Sequence, residues 1–259
     1  MRETACSTRD GKTSIRLHET VRMNRTGDSV EAGTSLSCVL FDIDGTILSA
    51  DGAGRRAFSN ALSHTFGWDE PMHHVSFAGA TDLMVFDQIM AENKHSPSGD
   101  ERDSFFRRMG DELEAAIGGG SPYLYEGVQE VIHDLSGDSR YLLGLVTGNV
   151  ERCARIKLRC FDLDRIFSFG GFGHDHPDRN EIAGFAVARA KEIVKGRRNI
   201  DRFYLVGDTP ADVRAAHAIG AVSIGITTGG FEACILLESG ADHVIDEMSS
   251  LPVILNEAE

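Results

Sequence analysis

At 259 residues, with 41% hydrophobic and 25% charged residues, the chain has the composition of a globular protein with a sizeable core, and no apolar run is long enough to cross a bilayer. Its 26 basic against 40 acidic residues leave a net charge of −14, which repels polyanions at long range and argues against nucleic acid or an anionic membrane as a partner. An anionic substrate then needs local neutralisation, a task that suits a divalent cation. The five cysteines (Cys6, Cys38, Cys153, Cys160, Cys234) form no CxxC pair and are odd in number, so they indicate neither a disulfide framework nor a cysteine zinc site and predict a reducing, cytoplasmic setting.

Residues 1–35 mix charges with Ser, Thr and Gly, lack the apolar stretch of a secretory signal, and read as a flexible tail in which Met23 is a second candidate start. From Leu36 onward, short apolar runs end in turn residues: Leu36 to Phe41, Leu142 to Val146, Ile166 to Phe169, Phe203 to Val206 and Val222 to Ile226. Helical stretches, notably Glu181 to Val194 and Ala211 to Ile219, separate most of them. This alternation predicts an α/β core, a doubly wound, Rossmann-like parallel sheet with helices on both faces. Between Asp51 and Pro122 the strand signal gives way to three helical patterns, carried by Ala57 to Phe66, Leu83 to Met90 and Phe105 to Ile117. The expected organisation is a core of residues 36–50 and 124–259, interrupted by an all-helical cap over 51–123.

Three of the apolar runs end in polar residues able to do chemistry: Asp42 after Phe41, Thr147 after Val146, and Asp208 after Gly207. In an open parallel sheet the strand C-termini share one edge, where ligands bind at the topological switch, so these side chains converge from distant positions. At Asp42-Ile43-Asp44-Gly45-Thr46, two carboxylates sit two residues apart at a strand end, and Gly45 permits the turn. One carboxylate held ionised by a cation can attack phosphorus, while the other protonates the leaving oxygen and then activates water. An Asx turn with a surface acid explains the glycine but not both acids.

These residues resemble the haloacid dehalogenase superfamily, whose first motif is DxDGT. The order of elements is similar too: Thr147 in Val146-Thr147-Gly148-Asn149, then Gly207-Asp208-Thr209-Pro210-Ala211-Asp212, with a helical cap inserted after the first motif. The resemblance, over roughly residues 36 to 230, is to the phosphoglycolate phosphatase-like branch. It implies that Asp42 is the nucleophile and forms an aspartyl-phosphate, and that Asp44 is the general acid and base. It also implies Mg2+ held by the carboxylates of Asp42 and Asp208 and the backbone carbonyl of Asp44. Thr147 would bind a phosphoryl oxygen, helped by the amides near Gly148 and Asn149 where a helix begins.

The family's third motif is a lysine, and here the sequence departs from it. The expected place reads His174-Asp175-His176-Pro177-Asp178-Arg179-Asn180, which makes Arg179 the substitute cation, while Lys191 and Lys195 read as solvated. The two histidines lack further ligands at motif spacing, and the glycine-rich runs near Gly52 and Gly170 match no nucleotide-binding fingerprint. Locally, Thr209 reads as an N-cap, Pro210 as the first helical residue and Asp212 as a first-turn acid that orients or caps. Arg55, Arg56 and Gly79 to Asp82 are candidates for the remote end of a small phosphorylated metabolite, in a lid hinged on Leu48 to Gly54 and Leu124 to Gly127. A monomer or homodimer is expected. The competing readings are a sugar phosphomutase of the β-phosphoglucomutase type, a dehalogenase, which generally lacks the acid at the position of Asp44, and a non-catalytic phosphate-binding module.

Overall fold

The computed structural model describes residues 36–68 and 75–257, so the tail expected over 1–35 lies outside the described residues. Six strands form one parallel sheet in the order β5-β4-β1-β6-β7-β8: β1 (Ser37–Phe41), β4 (Tyr141–Val146), β5 (Gly170–Gly171), β6 (Arg202–Gly207), β7 (Val222–Ile226) and β8 (His243–Ile245). From β1 the chain builds outward to one side through β4 and β5, then returns to build the other side from β6. The topological switch therefore falls beside β1. Along β1, Val39 and Phe41 enter one core and Cys38 and Leu40 the other, so both sheet faces are covered and the strand reads as one apolar run.

The face of Cys38 and Leu40 is closed by α6 (Arg179–Val194) and α7 (Pro210–Ala218), whose buried residues are mostly alanine. Such small side chains let two helices lie close to the sheet and to each other. The opposite face packs against α4 (Val128–Gly137) and α5 (Glu151–Arg159) through Val128, Ile132, Cys153 and Leu158. The short α8 (Ala233–Glu238) and α9 (Leu251–Glu257) complete the C-terminal side.

One expected strand is absent. Ile166 to Phe169 forms no strand: only the Phe169 carbonyl reaches the sheet, accepting from the Leu145 N–H (3.2 Å), while the Arg155 guanidinium donates to the carbonyls of Asp164 (2.9 Å) and Phe167 (2.5 Å). The edge strand is instead Gly170–Gly171, paired with Leu145 and Val146. Only glycine fits there: a Cβ on Gly171 would lie 2.0 Å from the Ile182 carbonyl oxygen on α6. The short β8 carried too few apolar residues to stand out in the sequence.

Two two-residue strands, β2 (Leu48–Ser49) and β3 (Tyr123–Leu124), pair antiparallel and bracket an insertion that is helical among the described residues. Its helices are α1 (Ala53–Phe66), α2 (Asp82–Glu92) and α3 (Gly99–Gly118). Phe105 centres its interior, with ring centroids 4.9 Å from Phe58 and 4.8 Å from Phe86. Ser98 and Glu101 close a capping box that starts α3 just after Pro97. Among the described residues no helix is long and apolar enough to cross a membrane.

Candidate active site

Strand register sets the site. Phe41 stands opposite Leu145 on one side and Val206 on the other, so the residues that follow these strands emerge together at the carboxyl edge of the sheet. Asp42 continues the ladder by donating its N–H to the Val206 carbonyl (3.0 Å). The chain then turns sharply: the Ile43 carbonyl accepts from the amides of Thr46, Ile47 and Leu48, and Gly45 takes a φ of +86°. Gly45 is required twice over, because a Cβ there would lie 2.5 Å from Cγ of Asp208.

Asp42, Asp208 and Asp212 bring carboxylate oxygens within 4.8 Å of one another, and all three residues are buried. Arg179, the first residue of α6 behind its N-cap Asp178, reaches this group with Nη2 2.9 Å from Asp42 Oδ1 and 2.6 Å from Asp212 Oδ1. The same nitrogen donates to the Val146 carbonyl at 3.3 Å, while Nε is buried with no hydrogen-bond partner. Burial pushes the Asp42 carboxyl up to about 6 against the attraction of Arg179. Burial, followed by repulsion from Asp42 and Asp212, pushes Asp208 up to about 8. For Arg179 burial works against the charge, yet Asp212 and Asp42 outweigh it and raise its pKa.

Asp212 both caps and orients, the two roles the local reading left open. It closes a capping box with Thr209, accepting from the Thr209 backbone N–H (3.1 Å) and hydroxyl (2.6 Å), and it anchors Arg179 through its other oxygen. Pro210 occupies the first helical position, as expected from the sequence.

Thr147 is fully buried at the end of β4, its hydroxyl oxygen accepting from the Asn149 side-chain amide (2.8 Å) and backbone N–H (3.3 Å). The helix that follows begins at Glu151, two residues later than the reading that put Gly148 and Asn149 at its start. Its N-cap residue, Val150, has no side-chain acceptor of its own, and Asp82 from α2 supplies one at 2.8 Å. Nearby, the Asp82 N–H donates to the Gly148 carbonyl (2.8 Å) and Thr81 Oγ1 to the Pro177 carbonyl (3.0 Å). The run from Gly79 to Asp82 is thus a loop and helix N-cap that also ties the insertion to the strand edge. Arg55 lies 4.5 Å over the ring of Phe77 in the wall of the cavity, whereas Arg56 turns back to the Asp51 carbonyl (2.7 Å).

Asp44 stands outside that carboxylate cluster. Its carboxylate accepts from Lys157 Nζ at 2.6 and 2.8 Å and from Asn149 Nδ2 at 2.7 Å. Sequence reasoning missed Lys157, the second cation of the site. The signal was its placement four residues after Cys153 on the apolar stripe of α5, where a lysine needs a buried partner. The segment around His174 and His176 serves structure instead: Asp175 is clamped by Arg189 (2.6 and 2.7 Å), and the histidine Nδ1 atoms accept backbone N–H groups.

Together these residues line a cavity of about 340 Å³, whose wall includes Asp42, Asp44, Thr147, Lys157, Arg179 and Asp208 together with Arg55 and Phe77. Asp42, Asp208 and Asp212 set three carboxylates against one guanidinium in a buried volume, and this charge imbalance fits a divalent cation bound by oxygen ligands. Gly229 leaves room there as well, since a Cβ would lie 2.3 Å from Cγ of Asp208.

The haloacid dehalogenase-like hydrolase family model matches residues 39–226. A Caldanaerobacter subterraneus protein with a pyrophosphatase designation is 22% identical over 85% of this chain and 94% of its own. A phosphoglycolate phosphatase from Haemophilus influenzae is 30% identical over 51% of this chain and 57% of its own. The crystal structure of a hydrolase from Pseudomonas syringae superposes with a TM-score of 0.65 at 21% identity, over 86% of this chain and 99% of the other, which shows a shared fold. With the family match spanning Asp42, Thr147 and Asp208 and most of the sheet, this chain belongs to the haloacid dehalogenase-like hydrolases.

Proposed function

We propose that this chain is a magnesium-dependent phosphatase that hydrolyses a small phosphate monoester, of the size of phosphoglycolate, through an aspartyl-phosphate on Asp42. The observation that carries the reading is the gathering of Asp42, Asp208, Asp212 and Arg179 beside Thr147 and Asp44 in one cavity. Asp42 attacks phosphorus, the bond to the ester oxygen breaks, and that oxygen takes a proton from Asp44. Asp44 then takes a proton from water as the water oxygen bonds to phosphorus and the bond to Asp42 breaks, releasing phosphate and restoring both acids.

Arg179 and Thr147 neutralise and orient the transferring oxygens. The buried, unpartnered Nε of Arg179 supports that role, because a phosphate oxygen is the kind of acceptor it lacks. Mg2+ held by Asp42, Asp208 and the Asp44 carbonyl would supply further charge neutralisation at the phosphoryl group. The helical segment 51–123 acts as a cap hinged on β2 and β3, with Arg55, set over Phe77, contacting the remote end of the substrate. A reducing cytoplasm is the setting this reading expects, and the cysteine number and spacing are in keeping with it.

The test is phosphate release from a panel of small phosphate esters, with magnesium and with a chelator. Magnesium-dependent release supports the reading. Release or isomerisation only on addition of a sugar bisphosphate would replace it with a phosphomutase.

A further inference from the structure

The reaction assigns Asp44 two proton transfers, yet its carboxylate hangs beyond the strand end on a rotatable bond. What holds it is a second ion pair, separate from that of Arg179. Lys157 is 4% exposed, and its ammonium meets both Asp44 oxygens at 2.6 and 2.8 Å. The third donor direction is taken by Asn149 Oδ1 at 2.7 Å, while the amide of the same Asn149 donates to Asp44 Oδ2 (2.7 Å) and to Thr147 Oγ1 (2.8 Å). Lysine, Asn149, Asp44 and Thr147 thus form one closed hydrogen-bonded network at the cavity floor. A Cβ on Gly54 would sit 3.4 Å from Lys157 Nζ, so the first turn of α1 packs directly against the ammonium.

A lysine buried on a helix face is expensive to desolvate and persists where a fixed charge partner compensates. Surface solubility does not explain it, nor does packing alone, since Cys153, Ala154 and Leu158 already fill that stripe. We propose that Lys157 is a positioning residue that, with Asn149, fixes the Asp44 carboxylate for the water-activating half of the reaction. The proposal rests on the phosphatase reading above. The lysine does not touch phosphorus. It acts by restricting Asp44 to one orientation, and its loss leaves phosphoryl transfer to Asp42 possible while hydrolysis of the aspartyl-phosphate slows.

The experiment is a double-mutant cycle between Lys157→Met and Asp44→Asn, followed by stopped-flow nitrophenolate release from p-nitrophenyl phosphate, whose leaving group departs without a proton. Lys157→Met alone is expected to show a burst of about one nitrophenolate per enzyme and a steady rate on the order of 10-fold or more below the parent, with KM falling alongside it so that kcat/KM changes less than about threefold. On the Asp44→Asn background, the same substitution should change the rate less than about twofold. Equal losses on both backgrounds, or a loss confined to KM, would overturn the proposal. Should the methionine variant not fold, Lys157→Gln, which is one methylene shorter but keeps a donor, is judged by the same criteria, with an intermediate burst expected. A parent protein that releases no nitrophenolate and no phosphate from any ester refutes the phosphatase reading itself, which separates the two failures.

Discussion

Arg179 Nη2 stands between Asp42 and Asp212, 2.9 Å from one carboxylate and 2.6 Å from the other, and thereby couples the end of β1 to the first turn of α7. One buried cation serves two acids from opposite sides of the topological switch. Removing it leaves like charges facing each other without compensation, a change that typically destabilises by about 3–5 kcal/mol.

Arg179→Met is therefore expected to abolish turnover and lower the chelated protein's melting temperature, with part of the loss recovered in acid as carboxyls protonate. Arg179→Lys keeps the charge but loses the fork. It should fold and retain activity reduced by about 10-fold. Thermal melts with phosphate-release assays on both variants check this, and an unaltered rate in Arg179→Met would remove the residue from the site.

The raised carboxyls make stability depend on pH with a definite sign. Asp42 and Asp208 hold protons in the folded protein up to about 6 and about 8, whereas the unfolded chain releases them near the ordinary value of 3.8. Folded protein then binds more protons than unfolded across this window, so the metal-free protein loses stability as pH rises through it and levels off above about 8. Magnesium replaces those protons. Its stabilising effect, measured by melting with magnesium and with chelator, should be larger near pH ~8 than near pH ~5, and equal effects at both would count against the acidic cluster as the cation site.

Asp82 supplies the acceptor that the start of α5 lacks, at 2.8 Å from the Val150 N–H. Asp82→Ala is expected to destabilise by about 1–2 kcal/mol. Burial raises this carboxyl to about 6, so Asp82→Asn keeps an acceptor and removes a charge that is unfavourable above that pH. Denaturant melts near pH ~7 should place the asparagine variant well above the alanine variant.

Gly45→Ala tests the turn that lets Asp208 approach. The substitution meets both a φ of +86° and the Asp208 carboxylate. A loss of magnesium affinity on the order of 10-fold, with at least about 1 kcal/mol of destabilisation, is expected. Calorimetric titration reads the first and melting the second.

How much was legible in the sequence follows from the range of the interactions. Apolar runs ending at Asp42, Thr147 and Asp208 revealed the sheet edge because strand and turn chemistry are local. The false strand at Ile166 to Phe169 had the right composition, but Arg155, 12 residues before Phe167 in the chain, takes that residue's carbonyl. Lys157 was invisible for a related reason: it pairs with Asp44 across 113 residues, and only its place on an apolar helix stripe hinted at burial. Asp212 was read as an acid that orients or caps, and it does both, but its partner Arg179 was not legible, because that pairing arises only when α6 and α7 meet.

The most direct test of the account is magnesium-dependent phosphate release by the parent protein and by Asp42→Asn, with intact-mass measurement for a phosphoryl adduct during turnover. Release by the parent that falls at least about 1,000-fold in the variant, with the adduct found on the parent alone, is the predicted result. Undiminished release by a folded Asp42→Asn protein would contradict the assignment of Asp42 as the nucleophile.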